Sequence, residues 1–280
     1  MNMKSGMRLT LLLALLILWA VPSDAQRRGG RGGRVQPQQQ ETPSEDPRFT
    51  QMLAAVQQIV FIDSMVVSAD DFMRHIPLHS ECGQLEQPKG LAGRFTNGLA
   101  DRRFSAIMGS DSLCRLYSSS LLAGQWEEPQ MLPGLDNTQV AYPYVMPDGV
   151  TMYFAQKGEG ALGGYDLYVS RYDWSKGTFL HPESLGLPFN SEADDLCLAI
   201  DEFSGLGYLV TNRRQPKDKV CIYVFVPSQI RQVYPSETTQ ADRLRSLARI
   251  DRIADTWGLM SSQERSNAIS TLSNLKTMHQ

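Results

Sequence analysis

The chain has 280 residues, 42% of them hydrophobic, and 27 Lys and Arg against 30 Asp and Glu leave a net charge of −3. The charge is uneven. The first 34 residues hold Lys4, Arg8, Arg27, Arg28, Arg31 and Arg34 against Asp24 alone, so from residue 35 onward the balance is 21 − 29 = −8. An acidic body argues against nucleic acid or an anionic membrane as the partner.

The chain opens like a secretory signal over residues 1–25. Lys4 and Arg8 precede an apolar run, Leu11 to Val21, and Ser23-Asp24-Ala25 supplies small residues at a cleavage site. The run is shorter than the roughly 20 residues of a bilayer span, which sets this reading above an uncleaved anchor. The first cysteine is Cys82, which argues against a lipid-anchored lipoprotein, and no later stretch reads as a transmembrane segment. Residues 26–47 (QRRGGRGGRVQPQQQETPSEDP) are similar to Arg-Gly boxes of RNA-binding proteins, but an exported chain meets little RNA. A polar, Gly-rich tether is expected. Export would bring Cys82, Cys114, Cys197 and Cys221 into an oxidising compartment, where four cysteines allow three full pairings. Cys197 and Cys221 fall in strand-like runs, where a thiol also serves as a small apolar residue.

Within residues 48–93, Arg48 to Val60 reads as a short helix merging into a β-branched run, Ile59 to Val67. Ser68-Ala69-Asp70-Asp71 then resembles a cap opening one brief turn. Over residues 94–227, short β-branched and aromatic runs alternate with Gly, Pro, Asp and Asn turns, the pattern of successive antiparallel strands. The clearest are Phe104–Met108, Arg115–Ser119, Thr151–Ala155, Asp166–Arg171, Leu196–Ile200, Leu206–Val210 and Val220–Phe225. They repeat. Trp126, Pro129 and Leu132 recur as Phe179, Pro182 and Leu185 at an offset of 53, and Asp148 maps to Asp201 by the same offset. Leu116-Tyr117 matches Leu167-Tyr168 at 51, the slips falling in loops. A strand-filled period of this length predicts propeller blades or a stacked β array. Over residues 228–280 the strands stop. Leu244, Leu247, Ile250, Ala254 and Trp257 stand at helical spacing, and Ser261 to Glu264 is a capping box for a last helix with Ile269, Leu272 and Leu275. A helical hairpin packed on the β body is expected, with partner-helix binding as the alternative.

The segment Pro143 to Phe154 (PYVMPDGVTMYF), followed by Gly163 to Ser170 (GGYDLYVS), resembles the WD40-like Pro-Asp β-propeller repeat of TolB-like periplasmic proteins and Bacteroidetes envelope proteins. Leu185 to Ser191 with Asp194 and Asp195 resembles the link between consecutive blades. The likeness is strongest over about 142–225. It marks Pro143, Pro147, Asp148, Gly149, Gly163, Gly164, Tyr165, Asp166, Asn190 and Asp195 as repeat-signature residues with structural roles. Pro147-Asp148-Gly149 also reads as a hairpin turn without the family, and Gly163-Gly164 as a place where another chain crosses closely. Such blades often accompany a peptidoglycan-binding domain of the OmpA type. No such domain is found in this sequence, so that activity is not carried over.

Catalytic and cofactor motifs are lacking: there is no Gly-x-Ser-x-Gly elbow, phosphate loop or His-Glu-x-x-His. Asp194, Asp195, Asp201 and Glu202 could be imagined as the acid and base of a glycosidase, yet Asp at turns ordinarily caps backbone groups. His75, His79 and Cys82 have the look of a partial metal site, broken by Pro77 and short of a fourth ligand. Arg213, Arg214, Lys217 and Lys219 read as a solvated hairpin tip.

The expectation is therefore a mainly β protein of propeller-like blades, with a short N-terminal helix and C-terminal helices. Three units are clear, at 95–139, 140–192 and 193–226. The run 59–67, extended to about 91, is the candidate for a degenerate fourth, because closed propellers have 4–8 blades and open sheet edges need cover. The alternative closure is a cap of terminal helices. No catalytic residue, metal or cofactor is assigned. The expected function is non-catalytic binding or scaffolding in the bacterial envelope or periplasm, with another envelope protein or an envelope glycan as partner. The alternatives are a subunit of a larger envelope or secretion assembly, and a carbohydrate-active enzyme.

Overall fold

A computed structural model describes residues 45–135, 139–228 and 230–279. The expected signal segment, and the tether as far as residue 44, lie outside them. The described chain is mainly β, with three blade-like antiparallel sheets. The first holds β1 (Gln84–Glu86), β2 (Leu91–Thr96), β3 (Arg102–Met108) and β4 (Cys114–Leu122), with two short strands, β5 (Gln125–Trp126) and β6 (Gln130–Met131), against β4. The second holds β7 (Gln139–Val145), β8 (Thr151–Lys157) and β9 (Tyr165–Asp173), with β10 (Thr178–Phe179) and β11 (Glu183–Ser184) against β9. The short outer pairs stand 53 residues apart, β5 against β10 and β6 against β11, so the sequence repeat is also a repeat of strand positions. The third sheet holds β12 (Asp195–Asp201), β13 (Leu206–Thr211) and β14 (Lys219–Val226).

The fourth strand of that third sheet comes from the other end of the sequence. β15 (Val60–Ser68), the earliest strand in the chain, pairs antiparallel with β14, from Val60 opposite Val226 to Ser68 opposite Lys219. The run Ile59–Val67 is thus not a blade of its own. It gives β14 a partner on its outer edge, and the backbone groups of β14 would otherwise face no strand. Residues 69–83 do not form a sheet either. They make two 3-10 turns, Phe72–His75 and Ser80–Cys82, bonded to the third sheet by Tyr208 Oη donating to the Pro77 carbonyl at 3.0 Å and by the His79 amide donating to Asp201 at 2.8 Å.

Burial explains why the strands of this sheet read as unbroken apolar runs. Val220, Ile222 and Val224 of β14 face a central cluster shared with all three sheets, while Cys221, Tyr223 and Phe225 face a second cluster with Ala155, Leu167 and Phe189. Both faces are buried, so alternation in space leaves no alternation in the sequence. Strands β2, β7 and β12, the inner strands of the three blades, each carry a bulge near the start, between Leu91 and Arg94, Ala141 and Tyr144, and Asp195 and Cys197. In the first blade the bulge holds Gly93 at φ 97°, and in the second Tyr142 at φ 54°. A Cβ on Gly93 would meet Met73 Cε and the Tyr142 backbone, so the two bulges touch.

Helix α1 (Pro47–Met52), α2 (Ala241–Arg249) and α3 (Ser262–Met278) complete the chain. Leu244, Leu247 and Ala248 of α2 pack on Phe49, Leu53 and Val56, whereas Leu272 and Leu275 of α3 join the central cluster. The helices therefore bury their stripes in different places. α2 stops at Ile250 in the left-handed region, and a 3-10 stretch, Ile253–Leu259, runs along β15. The Ser261–Glu264 capping box is formed.

One loop expectation is overturned. Arg213, expected at a solvated tip, is 4% exposed and donates to Asp195 at 2.6 Å and to the carbonyls of Pro188 and Phe189. Asp195 at the start of β12 is fully buried, and the Arg213 guanidinium satisfies it together with the Ser191 amide and hydroxyl.

Candidate binding face at the inner hairpins

In every blade, an Asx side chain closes the turn after the inner strand. Asn97 Oδ1 accepts from the amides of Asp101 (3.1 Å) and Arg102 (3.0 Å). Asp148 Oδ1 accepts from Val150 and Thr151, each at 2.8 Å, and its carboxyl is held below the usual range mainly by these turn bonds, against its partial burial. Asp201 Oδ1 accepts from Phe203 (3.1 Å) and Ser204 (3.0 Å). Asn97 was missed in the sequence because it breaks the Asp pattern. Its signal was the 51-residue spacing to Asp148, the spacing that also links Leu116-Tyr117 to Leu167-Tyr168.

The signature residues divide between the two ends of the blades. Pro147, Asp148 and Gly149 (φ 67°) form the inner turn of the second blade, and Pro143 is buried beside the Tyr142 bulge. The rest gather at the opposite end. A Cβ on Gly163 would collide with the Ala193 carbonyl, and one on Gly164 with the Asp194 carboxylate. The Tyr165 amide donates to Asp194 at 3.0 Å, and Asp166 accepts from the Leu162 and Gly163 amides. Burial pushes the Asp166 carboxyl up to about 6. Asn190 accepts from the Leu167 amide and donates to its carbonyl, stitching the blade link to β9.

The inner turns converge on a pit of about 330 Å³. Phe104, Val145, Met146, Pro147, Leu99 and Phe203 give it apolar walls, with Glu81 and Arg102 at its margin. Leu99 is 82% exposed and Phe203 50%, the latter stacked on the His79 ring at 5.1 Å. Beneath lies Asp201, fully buried, which also accepts from the Cys82 thiol at 3.2 Å. Burial, with the Asp201 charge beside it, pushes that thiol up to about 12. Tyr144, raised by burial, donates to the Ile200 carbonyl and ties the second blade to the third. These bonds engage Asp201, Cys82 and Tyr144 in holding the turns.

Asp195 and Asp201 are not brought together. Asp195 and Asp201 begin and end a seven-residue strand, about 20 Å apart at ~3.3 Å per residue, well beyond the 5–10 Å of a glycosidase pair. Asp194 is bonded to Tyr165 and Asn212. Nor do the three metal candidates converge: His75 lies by Asp71, His79 Nδ1 accepts from the Glu81 amide, and Cys82 turns to Asp201. Among the described residues no group of three His, Cys, Asp or Glu side chains could hold a metal ion, and no helix is long and apolar enough to cross a membrane. Two wider clefts, about 480 and 520 Å³, flank His279 at the end of α3, and the second shares Asn97 and Gly98 of the first blade's turn with the pit.

Comparison with models of protein families gives no match, and comparison with curated proteins gives none either.

Proposed function

We propose that this protein is a non-catalytic binding or scaffolding component of the bacterial cell envelope, exported by its N-terminal segment, and that it engages a partner protein through the inner-hairpin face. The observation that carries the reading is the convergence of three Asx-capped turns on an apolar pit with Leu99 and Phe203 standing exposed at its rim. Apolar groups exposed together at the rim of a pit mark a candidate interaction site, and loops held by a β scaffold are where binding residues concentrate. The WD40-like Pro-Asp resemblance, with its periplasmic and envelope setting, supports the same reading. The test is photo-cross-linking in the native envelope from a photoreactive residue placed at position 99, with position 174 on an outer loop as control. A discrete partner captured from 99 and not from 174 is expected. Equal capture from both positions would remove the case for this face.

A further inference from the structure

We infer that the inner-hairpin face receives a cationic, apolar-anchored protein segment, one large aliphatic or aromatic side chain flanked by Lys or Arg. The inference rests on reading this face as a binding surface and adds the chemistry of what it binds. The pit itself offers apolar burial from Phe104, Val145, Met146 and Phe203, which attracts a large apolar side chain whatever flanks it. The charges around it decide the flanks. Glu81 and Arg102 line the pit with opposite charges, and the turns beside it add Asp101, Asp148 and Glu202, one exposed carboxylate from each blade. Against them stands Arg102, its guanidinium 5.6 Å from the Phe104 ring centroid, and Arg171 on β9 behind Asp148. The excess is negative, and buried Asp201 adds to it from below.

Two of these charges are held in place. Asp101 accepts from Asn97 Nδ2 at 2.8 Å and Asp148 from Thr151 Oγ1 at 2.7 Å. An excess of carboxylates on the turns beside a low-dielectric pit, two of them held in place, makes a field that favours cations and turns away acidic segments, nucleic acid and anionic lipid alike. Such a field acts on encounter and register more than on raw affinity, so the apolar anchor and the cationic flanks play separable parts.

The separation supplies the test. The chain from residue 26 to 280 is titrated with three labelled peptides that share a central Phe-Leu pair and carry Lys, Ser or Glu flanks. The Lys peptide is expected to bind at least about tenfold more tightly than the Ser peptide, with an advantage that shrinks as salt rises, and the Glu peptide not to bind measurably. Glu81→Gln with Glu202→Gln should bring the Lys peptide close to the Ser peptide. Phe203→Ser should weaken it by about thirtyfold or more. Leu99→Ser, at a site too exposed to affect folding, should weaken it in the same direction. Equal binding of the three peptides overturns the cationic inference while leaving a binding face. Undiminished binding to both the Phe203 and Leu99 variants overturns the inference and the face together. A cross-linked partner whose contacting segment is acidic also overturns the inference.

Discussion

The indole Nε1 of Trp257 donates to the carbonyl of Phe61 at 2.9 Å, across 196 residues of sequence, and the Phe61 amide donates in turn to Thr256 Oγ1 at 3.1 Å. Phe61 lies on β15, the free margin of the third sheet, so two side chains of the C-terminal region take the place of a further strand. Arg265 lies over the Trp257 ring at 4.4 Å, and Lys276 pairs with Asp63 at 2.9 Å on the same strand. An open edge is a template for pairing with another chain, and this one is covered.

Replacing Trp257 with Ala should therefore do two things. Stability should fall by about 2 kcal/mol, from lost burial and an orphaned carbonyl, as read by chemical denaturation. Concentration-dependent association should also appear in light scattering. A destabilised variant that stays monomeric would show that the edge is protected by other means.

Removing β15 should have a larger effect. Deleting residues 58–68 takes away the partner of β14 and one wall of both apolar clusters. The expected outcome is an unfolded or aggregated chain, whereas deleting 26–44 should leave the melting temperature unchanged. Circular dichroism with a thermal scan distinguishes the two.

The Asp195–Arg213 pair should respond asymmetrically. Arg213→Ala leaves a carboxylate at 0% exposure without its cation and should cost about 3–5 kcal/mol. Replacing both residues with apolar ones of similar volume should cost less than Arg213→Ala alone. A denaturation series on the two variants checks the order.

Asp166 makes stability depend on pH with a defined sign. Its folded-state pKa of about 6 stands above the ordinary 3.8, so between pH 4 and 6 the folded state holds a proton that the unfolded chain has released. Its contribution to stability is greatest at the acid end and falls as pH rises through 6, by up to about 3 kcal/mol. Asp166→Asn should flatten the stability profile across that window. An unchanged slope would count against the assignment.

The cysteines should be inert in the folded state. All four are free and buried, and burial raises Cys82 and Cys197 to about 12 and Cys114 to about 11. Iodoacetamide at pH 8 should leave the native protein unmodified and label four thiols after denaturation, as read by intact mass. Fewer than four labels after denaturation without reductant would reveal a disulfide.

What the sequence determined by itself was the local part of the structure. Strands such as Thr151–Lys157 and Leu206–Thr211 lie where apolar, aromatic and β-branched residues follow Gly-containing turns, because strand propensity and turn chemistry act over a few residues. The capping box at Ser261 was legible for the same reason, and the 53-residue offset recurs in the outer strand pairs that the structure adds. Pairings between distant parts of the chain were decided only in the tertiary structure. The β-prone run at 59–67 announced a strand and not its neighbour, since the open edge of β14 exists only once the third sheet has formed. Arg213 looked like a loop charge until β12 brought Asp195 within 2.6 Å. The stripe running from Leu244 to Trp257 predicted continuous helix, but Arg214 takes the carbonyls of Arg249 and Ile250 at 2.7 Å each. That capture ends α2 and sends the chain along β15, where Thr256 and Trp257 meet Phe61. Periodicity records what a residue prefers within one element. The hydrogen-bond partner left open when sheets assemble is a property of the whole fold, and it settled where these residues went.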